Sequence, residues 1–65
     1  MYDTEFGRLR VKDIFYLKED YLLSENPTVY VKISDDEALK IMLMPVTKAI
    51  NKDTKVIPES HVGLL

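Results

Sequence analysis

The stretch TVYVKISDDEALKIMLMP, residues 28–45, decides the fold of this chain because it supports two incompatible structures. In the first, residues 28–33 and 37–44 are two strands around an acidic turn. In the second, Ser34 and Glu37 form a capping box for a short helix over residues 35–44, which Pro45 ends. Apolar residues would surround such a helix almost completely, and a chain of 65 residues has little core in which to bury it. Local physics leaves the two structures nearly balanced.

The hairpin makes a testable geometric prediction. If the apolar alternation faces the core, the loop must hold an odd number of residues, because an even loop pairs core positions with solvent positions. A five-residue loop would set Lys32 against Lys40, whereas a three-residue loop over residues 34–36 sets Tyr30 against Lys40. Such loops favour Gly at a left-handed position, which Asp would have to occupy here. The residues predicted to face the core are Val29, Val31, Ile33, Leu39, Ile41 and Leu43.

The rest of the chain contains short extended segments at close spacing. RLRVKDIFYL, residues 8–17, alternates on both sides of a turn or bulge at Lys12 and Asp13. Downstream, residues 46–50 and 55–57 read as extended pieces around a polar turn, and a break at residues 58–60 precedes a last piece at 61–65. We expect residues 21–23 to pack back onto the sheet. About five strands in one domain, residues 1–65, predict a mainly β fold, a small barrel or a rolled antiparallel sheet. A mixed α+β domain with the helix at 35–44 is the alternative.

Two motifs carry a resemblance to a known family. RLRVKDIFYL followed by TVYVKISDDEAL is similar to a family of small uncharacterised proteins of tailed phages and their bacterial hosts, whose pattern is L-x-V-G-D-x-F and then V-Y-V-K-x-S. Lys12 stands where that pattern has Gly. The resemblance implies a five-stranded SH3-like barrel without an assigned activity, and it favours the hairpin. The matching residues are Leu9, Val11, Asp13, Phe15, Val29, Tyr30, Val31, Lys32, Ser34, Ala38, Pro58 and Val62.

Composition narrows the class of protein. The net charge of −2, with both signs interspersed, gives no general attraction to nucleic acid or anionic lipid. The longest apolar run, residues 41–46, is far shorter than the roughly 20 residues of a membrane span, and the N-terminus lacks the apolar core of a signal peptide. The absence of cysteine suits a reducing cytoplasm, which would be the host cytoplasm, or a virion, if a phage encodes the chain. A domain this small often gains stability by oligomerising.

The sequence offers little for catalysis, so we expect no enzyme, no cofactor and no metal site. His61 is the only histidine, and its neighbour Ser60 would point to the opposite face of a strand. The acidic run at residues 35–37 lacks the alternating ligands of a calcium loop and is better explained as a solvated turn. Gly7 and Gly63 form no phosphate-binding loop.

The predicted solvent face of the hairpin is the candidate interaction face. We expect a non-enzymatic interaction module that self-associates or docks on a larger protein, as a phage accessory or virion-associated protein would, with the C-terminal VGLL as a further contact. The alternative is weak single-stranded nucleic-acid binding, with bases stacked on the tyrosine and phosphates held by the lysines. Neither function involves a membrane or a small-molecule substrate. The candidate residues are Tyr30, Lys32, Lys40, Met42 and Met44.

Overall fold

The computed structural model describes residues 3–59, which form a rolled antiparallel sheet with one short helix. The mainly β fold class is therefore confirmed. The described residues form six strands where about five were predicted. The two-residue strand β1 is the additional one. The elements are β1 (Thr4–Glu5), a 3-10 turn (Phe6–Arg8), β2 (Ile14–Leu17), α1 (Lys18–Leu23), β3 (Val29–Lys32), β4 (Glu37–Ile41), β5 (Val46–Ala49) and β6 (Lys55–Pro58).

The sheet is ordered β1-β6-β2-β3-β4-β5, with every neighbouring pair antiparallel. The first and last strands of the described part are thus neighbours, and β6 lies between β1 and β2. The roll gives the sheet an inner face, which carries the core, and an outer face. β1 and β5 are its two edges.

The β3–β4 hairpin has the predicted register. Tyr30 lies opposite Lys40 across a loop of residues 34–36, and the backbone N–H groups of Ile33 and Ser34 both donate to the carbonyl of Glu37. The helix over residues 35–44 is wrong, because β4 occupies residues 37–41. The left-handed Asp expected in this loop is wrong as well, since Lys12 is the one non-glycine residue with a positive φ in the described part of the chain.

The assignment of the hairpin faces is also wrong. The strands pair in the predicted register, but the face predicted to contact solvent is the one that packs on the core. Tyr30 and Ala38 are buried, whereas Ile33, Ile41 and Leu43 are exposed and the remaining predicted core positions are half-buried. The reason is aromatic packing: the ring of Phe15 on β2 stacks on Tyr30 with centroids 5.5 Å apart, and Phe6 packs on Phe15 at 5.4 Å. The buried core cluster consists of Phe6, Phe15, Tyr30, Ala38, Ile50 and Val56.

A tight turn over residues 10–13 leads into β2. Asp13 donates its N–H to the carbonyl of Arg10, and its side chain accepts the N–H of Arg10 at 2.8 Å. Lys12 has φ 83°, which a β-carbon makes unfavourable. A glycine at this position would adopt the same backbone without that cost. The predicted turn at Lys12 and Asp13 is thus confirmed, although residues 9–11 before it are not a strand.

Helix α1 was not predicted. With six residues it is too short to show a helical repeat, and its first turn carries Glu19 and Asp20, which suit the positive end of a helix. The side chain of Asp20 accepts the N–H of Thr28 at 2.7 Å and so ties the helix to the start of β3. Tyr21 packs on Tyr16 of the sheet with centroids 5.2 Å apart. The predicted return of residues 21–23 to the sheet is thus seen for Tyr21 only, since the two leucines after it are exposed.

Candidate interaction surface

Lys32, predicted as a surface residue that binds phosphate, is buried and structural. Its side chain is 3% exposed, and its Nζ donates to the carbonyl oxygens of Phe6 at 3.0 Å and Leu9 at 2.8 Å. The same Nζ lies 4.6 Å from the centroid of the Phe6 ring, a cation–π contact. The aliphatic stem therefore covers core while the ammonium group is held by backbone oxygens. Lys32 joins the N-terminal segment to β3 and is not available to a ligand.

Tyr30, which was also predicted to lie on the candidate interaction face, is buried. Its side chain is 4% exposed, and burial together with the negative charge of Asp20 raises the pKa of its phenol above the usual 10.0. A base cannot stack on a ring that is already covered by Phe15 on one side. The hypothesis of base stacking on Tyr30 therefore has no accessible ring to support it.

Two lysines remain on the inner face near the β5 edge. Lys40 is half-buried, and Lys48, which lies opposite Ala38, is exposed with its Nζ 6.0 Å from the Tyr30 ring. Nothing aromatic is exposed beside them in the described strands. Two cations without a stacking surface are typical of ordinary solvated lysines and lack the aromatic part of a single-strand binding surface.

The outer face is unusually apolar. Lateral pairing places Ile14 beside Val31 and Val31 beside Leu39, and it places Val29 beside Ile41. A sheet face in contact with water normally alternates towards polar side chains. Here β3 presents only aliphatic residues outward, and β4 does so after Glu37 at its start. We call this surface the apolar face; its members are Ile14, Val29, Val31, Ile33, Leu39 and Ile41.

Three members of the apolar face are exposed outright. Ile14 and Ile33 are each 41% exposed and Ile41 is 46% exposed, while the valines and Leu39 between them are half-buried by their neighbours. The line of paired residues from Ile14 through Val31 and Leu39 continues on β5 with Thr47, which lies opposite Leu39 and is uncharged. The apolar face is therefore a continuous surface across four strands, without a charge at its centre.

The loop after β4 extends this apolar surface. Residues 42–44, which we call the methionine loop, connect β4 to β5. Met42 is 48% exposed, Met44 is 78% exposed and Leu43 between them is fully exposed. The predictions for Met42 and Met44 as exposed residues therefore agree with the structure. Flexible methionines suit a surface that adapts to a partner.

A groove lies between α1 and the start of β6. Leu17, Leu22 and Leu23 give it an apolar wall, and the groove has a volume of about 740 Å³. The ammonium group of Lys18 at its rim is paired with Asp3, which lowers the pKa of that carboxyl, mainly through the hydrogen bond between the two side chains. The groove is shallow, and its charged groups are Lys18, Glu19, Asp20 and Lys55. Of these, Lys18 is paired with Asp3 and Asp20 accepts the N–H of Thr28.

The acidic loop between β3 and β4 behaves as a turn. Ser34 Oγ donates to Asp36 at 3.2 Å, and the carbonyl of Asp36 accepts the N–H of Ile50 at 2.8 Å. Within residues 3–59 no three acidic, histidine or cysteine side chains are grouped so that they could hold a metal ion. His61 and the VGLL segment lie outside the described residues.

Comparison with known proteins adds no relative. No protein-family model, curated protein or solved structure matches this chain. In the described part of the chain, no helix is long and apolar enough to cross a membrane.

Proposed function

We propose that this chain is a non-enzymatic protein-interaction module that uses the apolar face and the methionine loop as its contact surface. The observation that supports this most strongly is the run of aliphatic side chains across β2, β3 and β4, exposed on the face where a solvated sheet would carry polar groups. Self-association and docking on a larger protein are both uses of such a surface.

Energetics supports a role in binding. Full burial of one exposed aliphatic side chain is worth about 1.5–3 kcal/mol. Leu43 and Met44 are almost wholly exposed, so the isolated domain gains little from them. The same side chains would contribute most of their burial energy to a partner. Exposed apolar patches rimmed by polar residues mark contact sites more often than they serve the fold.

The setting that we propose is a phage accessory or virion-associated protein, working in the host cytoplasm or in the virion. Its support is the similarity of RLRVKDIFYL and TVYVKISDDEAL to the phage family pattern. An SH3-like arrangement of the strands belongs to the same proposal.

A comparative pulldown tests the contact surface. The wild-type chain, Ile41→Asp and the control Leu22→Asp serve as baits in a lysate from the native context, with bound proteins quantified by mass spectrometry. Both substituted side chains are about half exposed, but Leu22 lies on α1 and is not a member of the apolar face. We expect Ile41→Asp to lose the specific partners and Leu22→Asp to retain them. Equal recovery with all three baits would contradict the proposed surface.

A further inference from the structure

The apolar face has the properties of a surface that binds a second copy of itself. Its centre, at Val31 and Leu39, carries no charge. Glu37, at the start of β4, borders the apolar face, while the other acids of the hairpin lie on the β3–β4 loop and its lysines on the inner face. A docking surface for a charged or strongly polar partner would show complementary groups, and none is present among its members. An uncharged aliphatic sheet face is chemically complementary to an identical face.

From this we infer that two copies of the chain pack face to face through their apolar faces and methionine loops and form a symmetric two-layer dimer; the inference rests on the proposed function. In such an isologous contact the same patch serves both copies, so residues near the twofold axis meet their own counterparts. Val31 and Leu39 lie at the middle of the four strands β2 to β5 and meet in this way. Sheets packed like this are about 10 Å apart with strands within about 30° of each other.

The exposed area is of the size that a modest dimer needs. If a fully exposed aliphatic side chain offers roughly 100 Å² of apolar surface, the six exposed side chains together offer roughly 350 Å² per copy. Two copies then bury roughly 700 Å² of apolar surface, or a total of about 1,100 Å² at the apolar share typical of homodimers. This exceeds the roughly 1,000 Å² expected of a specific interface by a small margin, so the dimer dissociates on dilution. The six are Ile14, Ile33, Ile41, Met42, Leu43 and Met44.

Sedimentation velocity measures the association directly. Between about 10 and about 500 µM we expect the wild-type mass to rise from that of one 7.5 kDa chain towards twice that value. Ile41→Lys and, on a different strand, Ile14→Lys should each raise the dissociation constant about tenfold or more, because each buries a charge in the contact. Leu22→Lys, a matched exposed leucine on α1, should leave it unchanged. Circular dichroism checks that each variant is folded, and the two lysine variants on different strands guard against a local loss of structure.

Crosslinking locates the contact. Because the sequence has no cysteine, a single cysteine can be placed at will. With a bis-maleimide whose spacer is about 10 Å, the separation of packed sheets, Leu39→Cys should form covalent dimers at least about tenfold faster than Leu22→Cys. A wild type that stays monomeric at about 500 µM overturns the inference, as does a dimer that crosslinks equally at both sites or is indifferent to Ile41→Lys. The proposed function is judged separately: a monomer whose foreign partners are lost with Ile41→Asp refutes the dimer and retains the interaction module.

Discussion

Replacing Lys32 by methionine should destabilise the fold by about 2 kcal/mol. The substitution keeps an unbranched, flexible side chain of similar length but removes the ammonium group. Two charge-assisted hydrogen bonds, to Phe6 and Leu9, are lost at about 1.5–3 kcal/mol each, together with a cation–π contact of about 1 kcal/mol. The variant no longer buries a cation, which returns several kcal/mol. The losses exceed this gain because the carbonyl of Leu9 loses its charged donor. The carbonyl of Phe6 is affected less, since it still accepts the N–H of Leu9.

Urea unfolding followed by far-ultraviolet circular dichroism measures the effect. A domain of this size holds about 3–5 kcal/mol of stability and has a urea slope near 1 kcal/mol/M, so the midpoint should fall by about 2 M. Lys48→Met is the matched control: it removes a lysine from the same inner face, but an exposed one, and should change stability by less than about 0.5 kcal/mol. If Lys32→Met is as stable as the wild type or more stable, the desolvation cost of the ammonium group dominates. The claim that Lys32 stabilises the contact between the N-terminal segment and β3 is then refuted.

Three further predictions concern the free energy of unfolding, two of them through the backbone and one through alkaline pH. Urea unfolding measures it in each case. Lys12→Gly should stabilise by about 1 kcal/mol by relieving the residue at φ 83°; a loss of stability would show that the lysine side chain has another role. Gly7→Ala should destabilise by about 1 kcal/mol, because its Cβ would lie 3.0 Å from the Cβ of Lys52 and 3.2 Å from its carbonyl oxygen, to which Gly7 is hydrogen-bonded; unchanged stability would contradict this packing. Since the pKa of Tyr30 is raised mainly by burial, the folded state keeps that proton longer than the unfolded state, and stability should fall as pH rises above about 10; Tyr30→Phe should reduce this slope, and an identical slope would contradict the burial.

The pairing of the strands could be predicted because it depends on local rules. Loop parity and the cost of opposing lysines sufficed to set Tyr30 against Lys40. The polar turn before β6 was equally visible, since hydrogen bonds from Thr54 and Asp53 to Asn51 close it. Such features need only neighbours in sequence or across one hairpin.

The choice of inner face could not be predicted from the hairpin alone. Parity fixes which residues share a face but leaves open which face is covered. Here Phe6 and Phe15, both outside the hairpin, select the face that carries Tyr30, and carbonyls of the N-terminal segment make a buried Lys32 acceptable. A signal was present in the sequence: Ala38, the smallest residue of β4, allows close packing over the core.

The members of the candidate interaction face could not be predicted either, because they depend on which face of the hairpin is buried. Of the five predicted residues, Met42 and Met44 are exposed, Lys40 is half-buried, and Tyr30 and Lys32 belong to the core. The aliphatic residues assigned to the core form the exposed surface instead. Their β-branched side chains have high strand propensity on either face, so their pattern alone does not distinguish a core from a contact surface.

The central claim, that two copies of the chain associate through the apolar face, is tested most directly by amide chemical shifts at two protein concentrations. Spectra of a nitrogen-15-labelled sample at about 50 µM and about 1 mM compare the free and the associated chain residue by residue. We predict shift changes at Ile14, Val31, Leu39 and Ile41 that exceed those of α1 several-fold, and their loss in Ile41→Lys. Changes confined to α1 or the β6 side, with the apolar face unaffected, would contradict the account.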